Sequence, residues 1–266
     1  MFRSVTLLLL LWTLPTASAV DLVNLNAHRG GVVSDTIIEN NRASIEAAVQ
    51  RGYWMVEVDV RRTADGVPIA HHDFDFRRFY QDRRKVRDMT WEEISQLRSS
   101  PGGEHPLRLV DYLQACDDRL KIMLDIKGER SLLPAAFLDE IERVMNEAGQ
   151  LKYAYMIGTE ETKQHLPAKL RISRKYEDIA SAKEEGSESH YFIFPRDNRV
   201  TEDEIRQGLA LGAPVVPSIN AFHYPKKTRM QRARQDIERL RAAGVTEFQI
   251  DSVFDEWLIS TEAASP

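Results

Sequence analysis

The chain has 266 residues, of which 42% are hydrophobic and 29% are charged, and its formal net charge is −5. This composition is typical of globular proteins and excludes a disordered or fibrous chain. A negative net charge without any block of basic residues argues against nucleic acid as a partner. Cys116 is the single cysteine of the sequence, which excludes an intramolecular disulfide and a cysteine-built zinc site.

The first nineteen residues have the pattern of a secretory signal peptide. Arg3 is followed by an apolar run from Val5 to Trp12 and then by Ala17-Ser18-Ala19, a small-x-small cleavage pattern. The apolar run is far shorter than the ~20 residues that a membrane-spanning helix needs, so a membrane anchor is the weaker interpretation. We therefore predict cleavage after Ala19, export to the periplasm or the extracellular space, and no stable membrane anchor.

After residue 19, predicted strands and helices alternate along the chain. Hydrophobicity with period two indicates a strand at 55–60, and an apolar face that begins after the capping residue Asn41 indicates a helix at 41–52. In chain order, the predicted elements are strand 22–27, helix 41–52, strand 55–60, extended segment 67–72, a helix opening at Thr90, helix 109–115, strand 120–126, helix 134–146, strand 154–157, helix 160–165, strand 170–173, helix 176–185, strand 191–194, helix 201–211, strand 215–219, helix 230–243 and strand 248–251.

This alternation predicts a single α/β domain, residues 20–266, folded as a (β/α)8 TIM barrel. A strand followed by a helix, repeated about eight times with short connections, indicates a parallel sheet. Eight such units in roughly 250 residues, with no linker or change of composition, favour a closed barrel over an open sheet. Because the chemistry of such barrels lies at the carboxyl ends of the strands, we expect the functional residues there.

Three carboxylates lie near the ends of neighbouring predicted strands. Glu57 and Asp59 are two positions apart, so their side chains point to the same side of the strand. The outer side packs under helices, where two carboxylates would be costly to bury, so the inward direction is favoured. Asp125 on the next barrel strand completes a set of three oxygen ligands that suits Mg²⁺ or Ca²⁺. The alternative is a surface strand with solvated acids.

Histidines and cations at the same strand ends indicate work on an anionic substrate. His28 follows the first strand and precedes two glycines, which we interpret as leaving room for a ligand, although a lone histidine there is commonly structural. His71 and His72 face opposite sides of an extended segment, so only one of them can enter the site. With the cations Arg29 and Lys127 and a metal, this set fits phosphate esters best, because histidines can transfer protons while the positive charges bind the anion.

The order of these motifs resembles one known family. His28-Arg29-Gly30, Glu39-Asn40, Glu57-x-Asp59, the Asp65-Gly66 turn and His72-Asp73 follow one another as they do in the glycerophosphodiester phosphodiesterases. Asp125-Ile126-Lys127 falls where that family has an acidic residue two positions before a lysine. The resemblance covers residues 24–78 and 120–128.

The resemblance implies a (β/α)8 barrel that hydrolyses glycerophosphodiesters, small-molecule substrates, to glycerol 3-phosphate and an alcohol. It implies that His28 and His72 form the acid–base pair and that Arg29 and Lys127 bind the phosphate. Glu39, and Asp251 at the end of the last strand, are further candidate site residues.

The resemblance also implies one divalent cation, Mg²⁺ or Ca²⁺, held by Glu57, Asp59 and Asp125. Asp125 stands where the family usually has Glu and is one methylene shorter. Two other functions stay open. One is a phospholipase D-type enzyme of the same superfamily that acts on sphingomyelin or lysophospholipids, although no exposed aromatic cluster for membrane docking is evident in the sequence. The other is an exported binding protein without catalysis, which the presence of both histidines and all three carboxylates disfavours.

Overall fold

Ten strands form one sheet in the computed structural model of the protein, which describes residues 23–128, 132–166, 170–184, 190–195 and 199–259. The predicted signal peptide, residues 1–19, lies outside the described residues. The strands are β1 Asn24–Ala27, β2 Met55–Arg62, β3 Pro68–Ala70, β4 Leu107–Arg108, β5 Lys121–Ile126, β6 Tyr155–Ile157, β7 Arg171–Ser173, β8 Tyr191–Phe192, β9 Ser218–Ile219 and β10 Glu247–Ile250.

Eight of these strands form a parallel barrel. Their order is β8-β7-β6-β5-β2-β1-β10-β9, so that chain neighbours are also sheet neighbours. The two ends of this path meet where Ile193, just after β8, pairs in parallel with Val215, just before β9. The Ile193 N–H donates to the Pro214 carbonyl at 2.8 Å and the Val216 N–H donates to the Ile193 carbonyl at 2.9 Å. The predicted (β/α)8 TIM-barrel fold is confirmed.

Most of the described helices follow barrel strands and cover the outside of the sheet, and two short ones, Arg77–Tyr80 and Trp91–Ile94, lie between β3 and β4. The helices are α1 Arg42–Gln50, α2 Arg77–Tyr80, α3 Trp91–Ile94, α4 Leu109–Cys116, α5 Ala135–Glu147, α6 Glu160–His165, α7 Tyr176–Glu184, α8 Glu202–Ala210 and α9 Arg229–Ala242. The predicted caps are present, since the Asn41 side chain accepts from the Ser44 N–H and Thr90 forms a capping box with Glu93. Among the described helices, none is long and apolar enough to cross a membrane.

The predicted extended segment 67–72 is not a barrel strand. It contributes β3, which pairs antiparallel with the end of β2, and β4 then pairs with β3. The reversal follows the Asp65-Gly66 turn, where Gly66 has a φ of 85° that favours glycine. The result is a β-hairpin that extends β2 beyond the barrel and carries the two adjacent histidines.

The side chains of β2 alternate between the two sides of the barrel wall. Val56, Val58 and Val60 belong to the large apolar layer between the strands and the helices. Met55 belongs instead to the cluster inside the barrel, with Met123 of β5. Because Glu57 and Asp59 share the phase of Met55, they point inward, as the sequence predicts.

Candidate active site

The three predicted metal ligands come together at the carboxyl ends of β2 and β5. Asp59 lies directly opposite Asp125 in the parallel register of the two strands, and Glu57 comes two residues earlier. One carboxylate oxygen from each residue lies within 4.8 Å of one from each of the others. Glu57 and Asp59 are buried and Asp125 is partly buried. Three hard oxygen donors on two strands therefore converge on one point.

Lys127 places its ammonium group between two of these carboxylates. Its Nζ lies 2.7 Å from Oδ1 of Asp59 and 2.5 Å from Oδ2 of Asp125. Although burial alone would raise the pKa of Asp59, the charges of Lys127 and His72 hold it below its usual value. An ammonium group has three N–H donors, so one remains for a further ligand such as a phosphate oxygen.

The surroundings of Glu57 disfavour the ionised form of its carboxylate. Burial, followed by the charges of Asp59 and Asp125, raises the pKa of Glu57 well above its usual value. The backbone N–H of Arg29 donates to Oε2 of Glu57 at 2.8 Å and partly offsets this shift. Three carboxylates crowded in this way fit a divalent cation such as Mg²⁺ or Ca²⁺, whose charge would stabilise their ionised forms.

Asn40 positions Asp59, a role that was not predicted from the sequence. Its Nδ2 donates to Oδ2 of Asp59 at 2.9 Å, and its Oδ1 accepts from the Asp59 N–H at 3.3 Å. Asn40 has a φ of 55°, a left-handed conformation that asparagine tolerates better than most residues. The signal for this role was its place in the Glu39-Asn40 motif.

His28 is paired with Asp251, so that these two predicted site residues act on each other. Nδ1 of His28 lies 2.5 Å from Oδ1 of Asp251. The pair forms because β1 and β10 are parallel neighbours in which Ala27 lies opposite Ile250. The other carboxylate oxygen of Asp251 accepts the Ala221 N–H at 2.6 Å. Burial would raise the pKa of Asp251, but the hydrogen bond from His28 lowers it, which keeps the carboxylate ionised beside the imidazole.

His72 has a similar partner, Asp73. Its Nδ1 lies 2.7 Å from Oδ1 of Asp73, whose other oxygen accepts from Nε of Arg78 at 2.7 Å. The hydrogen bond from His72 and the charge of Arg78 outweigh burial and lower the pKa of Asp73. Both His28 and His72 thus hold Nδ1 against a carboxylate, which leaves Nε2 of each ring for another partner.

His71 faces away from the carboxylate cluster. Its Nε2 donates to the Asp75 carbonyl at 2.9 Å, and its ring packs 4.5 Å from that of Phe76. His71 is buried, and burial lowers its pKa to about 4, so the ring is neutral at ordinary pH. Of the two neighbouring histidines, His72 is the one that lines the cleft described below.

Glu39 binds arginines rather than joining the three-carboxylate cluster. Its Oε2 accepts from Nη1 of Arg29 at 3.1 Å, and both of its oxygens accept from Arg78. Burial lowers the pKa of Arg29, but the negative charges of Glu39 and Asp59 more than compensate and keep it raised. Glu39 therefore orients one of the two predicted phosphate-binding cations. Nothing in the sequence indicated the contribution of Arg78.

The glycines after His28 do not leave room for a ligand, and that interpretation is wrong. A Cβ on Gly31 would lie 2.2 Å from the Ser44 carbonyl oxygen, and one on Gly30 would lie 2.7 Å from Cα of Asn40. Both residues have positive φ, 75° for Gly30 and 135° for Gly31. The glycines let the loop after β1 pack directly against the residues that begin α1, which brings Asn40 to Asp59.

The site residues open into one cleft at the mouth of the barrel. Its volume is about 590 Å³. The predicted site residues that line it are His28, Arg29, Glu57, His72, Asp125 and Lys127. The strands that carry no predicted site residue complete the wall with Thr159, Phe194, Ser218, Asn220 and Phe222. Phe222, whose side chain is 67% exposed, lies 6.1 Å from the His28 ring between centroids.

Comparison with known proteins identifies relatives of the part that carries most of this site. Residues 28–150 match the model of the glycerophosphoryl diester phosphodiesterase family. The chain is 33% identical over 127 residues to glycerophosphodiester phosphodiesterase 1 of Mus musculus, an alignment that spans 44% of this chain and 37% of the mouse protein. The match thus covers little more than a third of the length of that relative.

Solved structures share the fold over most of the chain. A glycerophosphodiester phosphodiesterase of Agrobacterium tumefaciens aligns with a TM-score of 0.67 and 20% identity over 90% of this chain and 100% of its own. An Oleispira antarctica phosphodiesterase, solved in complex with the product sn-glycerol-3-phosphate, aligns with a TM-score of 0.67 and 19% identity over 89% of this chain and 95% of its own. At these identities, the likeness establishes the barrel fold.

Proposed function

Because residues 28–150 belong to the glycerophosphoryl diester phosphodiesterase family, we propose that the protein hydrolyses glycerophosphodiesters to glycerol 3-phosphate and an alcohol. One observation carries this proposal. Two histidines, each held at Nδ1 by a carboxylate, line the same cleft as the three-carboxylate cluster and two cations. A binding protein without catalysis would have no need of two oriented imidazoles beside a metal-binding set.

Acid–base catalysis is the role we assign to His28 and His72. One neutral imidazole accepts, at Nε2, the proton of the attacking hydroxyl, while the other, protonated, gives a proton to the leaving alcohol. In the route we favour, the neighbouring glycerol hydroxyl attacks phosphorus and the bond to the alcohol oxygen breaks, which gives a cyclic phosphate. Water then opens the ring with the two histidines in exchanged roles. Asp251 and Asp73 fix the tautomers and stabilise whichever ring is positively charged.

Anion binding is the role we assign to Arg29 and Lys127. Glu39 orients the guanidinium group of Arg29, and Asp59 and Asp125 orient the ammonium group of Lys127. Little ordering of these two cations is therefore required when the phosphate binds. Glu57, Asp59 and Asp125 would hold one divalent cation, Mg²⁺ or Ca²⁺, which when bound supplies positive charge against the phosphate oxygens. The substrate is a small molecule, and nucleic acid is not the expected partner.

A coupled assay of glycerol 3-phosphate release tests the proposal. Glycerophosphocholine and related diesters serve as substrates, with EDTA and with each metal added back. We expect His28→Ala and His72→Ala each to lower kcat by about 10²–10⁴. His165→Ala is the matched control, because Nε2 of His165 also lies 2.8 Å from an aspartate, Asp139, but outside the cleft. Absence of release from every diester, or equal losses in all three variants, contradicts the assignment.

Two exposed aromatic side chains support a second candidate function. Phe222 at the mouth and Phe74 near it are 67% and 59% exposed, and such side chains can contact acyl chains. This feature favours the phospholipase D-type alternative, in which the substrate is sphingomyelin or a lysophospholipid. Faster alcohol release from vesicles of these lipids than from glycerophosphocholine supports the second candidate over the first.

Export is a separate part of the proposed function. The amino-terminal pattern of residues 1–19 supports secretion or periplasmic localisation after cleavage at Ala19. Sequencing the amino terminus of protein recovered from the exported fraction tests this, since Val20 should be the first residue. An intact Met1 on soluble cytoplasmic protein contradicts it.

A further inference from the structure

A second cleft, distinct from the one at the barrel mouth, lies beside the β2–β3 hairpin. Its volume is about 590 Å³. It is lined by Arg61, Arg62, Phe74, Lys85, Val86, Arg87 and Gly128. Four of these seven residues carry a positive charge, and among the described lining residues none is acidic. In a chain whose net charge is −5, such a concentration of positive charge is a local feature that favours an anion. We call it the basic cleft.

The basic cleft borders the candidate active site. Gly128 lines both clefts. Asp59 and Arg61 are two residues apart on β2, a separation of about 7 Å along a strand. Nε of Arg61 donates to the His72 carbonyl at 2.8 Å, and Phe74 follows two residues after His72. A substituent carried by a phosphorus atom near His72 would therefore lie beside the basic cleft.

The far wall of the basic cleft is held in place by the core of the hairpin region. Val86 is buried with Ile69 and Phe76 in a separate apolar cluster. The Val86 N–H donates to the Phe74 carbonyl at 3.0 Å. Lys85 and Arg87 flank this anchored residue, and both side chains are exposed. Nε of Arg87 lies 3.6 Å from Oδ1 of Asp88, and an exposed ion pair of this kind contributes little stabilisation.

The chemistry of the lining residues defines the ligand. Guanidinium groups match the geometry of a phosphate by paired N–H donors, and an ammonium group adds a compact charge. The exposed Phe74 ring offers an apolar surface for the carbon skeleton that joins two phosphates of one ligand. We propose that the basic cleft binds a second phosphate of the substrate, so that glycerophosphodiesters whose alcohol is itself phosphorylated are preferred. This inference rests on the proposed function, whose site provides the first phosphate position.

The test compares two substrates that differ by one phosphate, glycerophosphoinositol 4-phosphate and glycerophosphoinositol. For the wild-type protein, kcat/KM should be higher for the phosphorylated compound, and the ratio should fall as salt is raised. Lys85→Ala and Arg87→Ala should each lower kcat/KM for the phosphorylated compound about threefold, and the double variant about tenfold. The same variants should change kcat/KM for glycerophosphoinositol less than about twofold.

Arg83→Ala is the matched control, since Arg83 is an exposed arginine of the same loop that does not line the basic cleft. The proposal is overturned if the control lowers the substrate ratio as much as Arg87→Ala does, or if the double variant lowers both substrates equally. It is also overturned if the double variant keeps the ratio but loses binding to phosphatidylglycerol vesicles, because the cleft then recognises a lipid surface.

A binding measurement separates this proposal from the proposed function. Calorimetric titration with myo-inositol 4-phosphate and with myo-inositol requires no turnover. If the wild-type protein binds only the phosphorylated compound and the double variant binds it about tenfold more weakly, phosphate binding by the basic cleft is supported even where no diester is hydrolysed. If hydrolysis is normal but both compounds bind equally, the proposed function stands and the basic cleft is refuted.

Discussion

Acidification is expected to destabilise the protein through one buried histidine, His71. Its pKa is lowered to about 4 in the folded protein, against an ordinary value of 6.5. Between these values the unfolded chain binds more protons than the folded one, so the stability from the neutral ring is complete above pH 6.5 and is lost as the pH falls towards 4. Relative to neutral pH, this difference in proton binding lowers the free energy of unfolding by about 2 kcal/mol at pH 5 and by about 3 kcal/mol at the acidic limit.

The matched variant is His71→Gln, which keeps a side-chain N–H for the Asp75 carbonyl but cannot titrate. At pH 7.5 the variant should be less stable than the wild type by about 1–2 kcal/mol, because the ring contact with Phe76 is lost. Between pH 7.5 and pH 5, however, the wild-type protein should lose about 2 kcal/mol more than the variant does. Carboxylates elsewhere titrate in both proteins, so their contributions cancel when the two losses of stability are compared.

Urea unfolding in EDTA at the two pH values measures these differences without a contribution from metal binding. A separate activity assay of the same variant, with Mg²⁺ or Ca²⁺ present, tests which histidine serves the site, because His71→Gln should keep most of the wild-type activity at pH 7.5. Equal losses of stability in the wild type and the variant on acidification would show that the ring of His71 is not a buried neutral group.

Three further predictions concern the barrel mouth. Asp59→Asn should abolish binding of Mg²⁺ or Ca²⁺ measured by calorimetry, together with activity, and full wild-type activity in excess EDTA would refute the metal assignment. Asp251→Asn should lower kcat by about a hundredfold with little change in KM, because Asp251 orients His28; an effect on KM alone would refute that role. Gly31→Ala should cost about 2 kcal/mol or more of unfolding free energy, because its Cβ meets the Ser44 backbone at 2.2 Å. Gly52→Ala is its control, with φ of 75° but open space, and should cost about 1 kcal/mol; equal losses would refute the packing argument.

The sequence was sufficient for the barrel and for the three carboxylates because both depend on local periodicity. Two-residue spacing on a strand determines that Glu57 and Asp59 share a side, and strand order brings Asp125 opposite. Alternation along an extended segment likewise places His71 and His72 on opposite sides, and the family resemblance then selects His72 for the site.

Contacts between distant loops could not be predicted in this way. Arg78 reaches Glu39 and Asp73 only because a short helix after the hairpin folds back over the first loop. The basic cleft depends equally on tertiary structure, since Arg61 and Lys85 are brought together by the hairpin. The role of the glycines was misjudged for a related reason. Their neighbours, Asn40 and Ser44, lie across a loop whose path the sequence does not define.

Neighbouring strands of the barrel wall are joined by different numbers of backbone pairs. β2 and β5 are in register at six positions. Among the described residues, the β8 and β9 segments are joined by one bridge, Ile193 with Val215, and by a hydrogen bond from the Ser218 N–H to the Pro195 carbonyl at 3.3 Å. The predicted catalytic residues His28 and His72 follow β1 and the β2–β3 hairpin, away from this seam between the β8 and β9 segments, whereas Phe194 and Ser218 beside the seam contribute to the wall of the cleft. Mutations that accumulate near the seam can therefore reshape the cleft without moving the predicted catalytic residues, and amide hydrogen exchange should be fastest along that seam. Evolution of new substrate range is expected to proceed through the half of the barrel that carries no predicted catalytic residue.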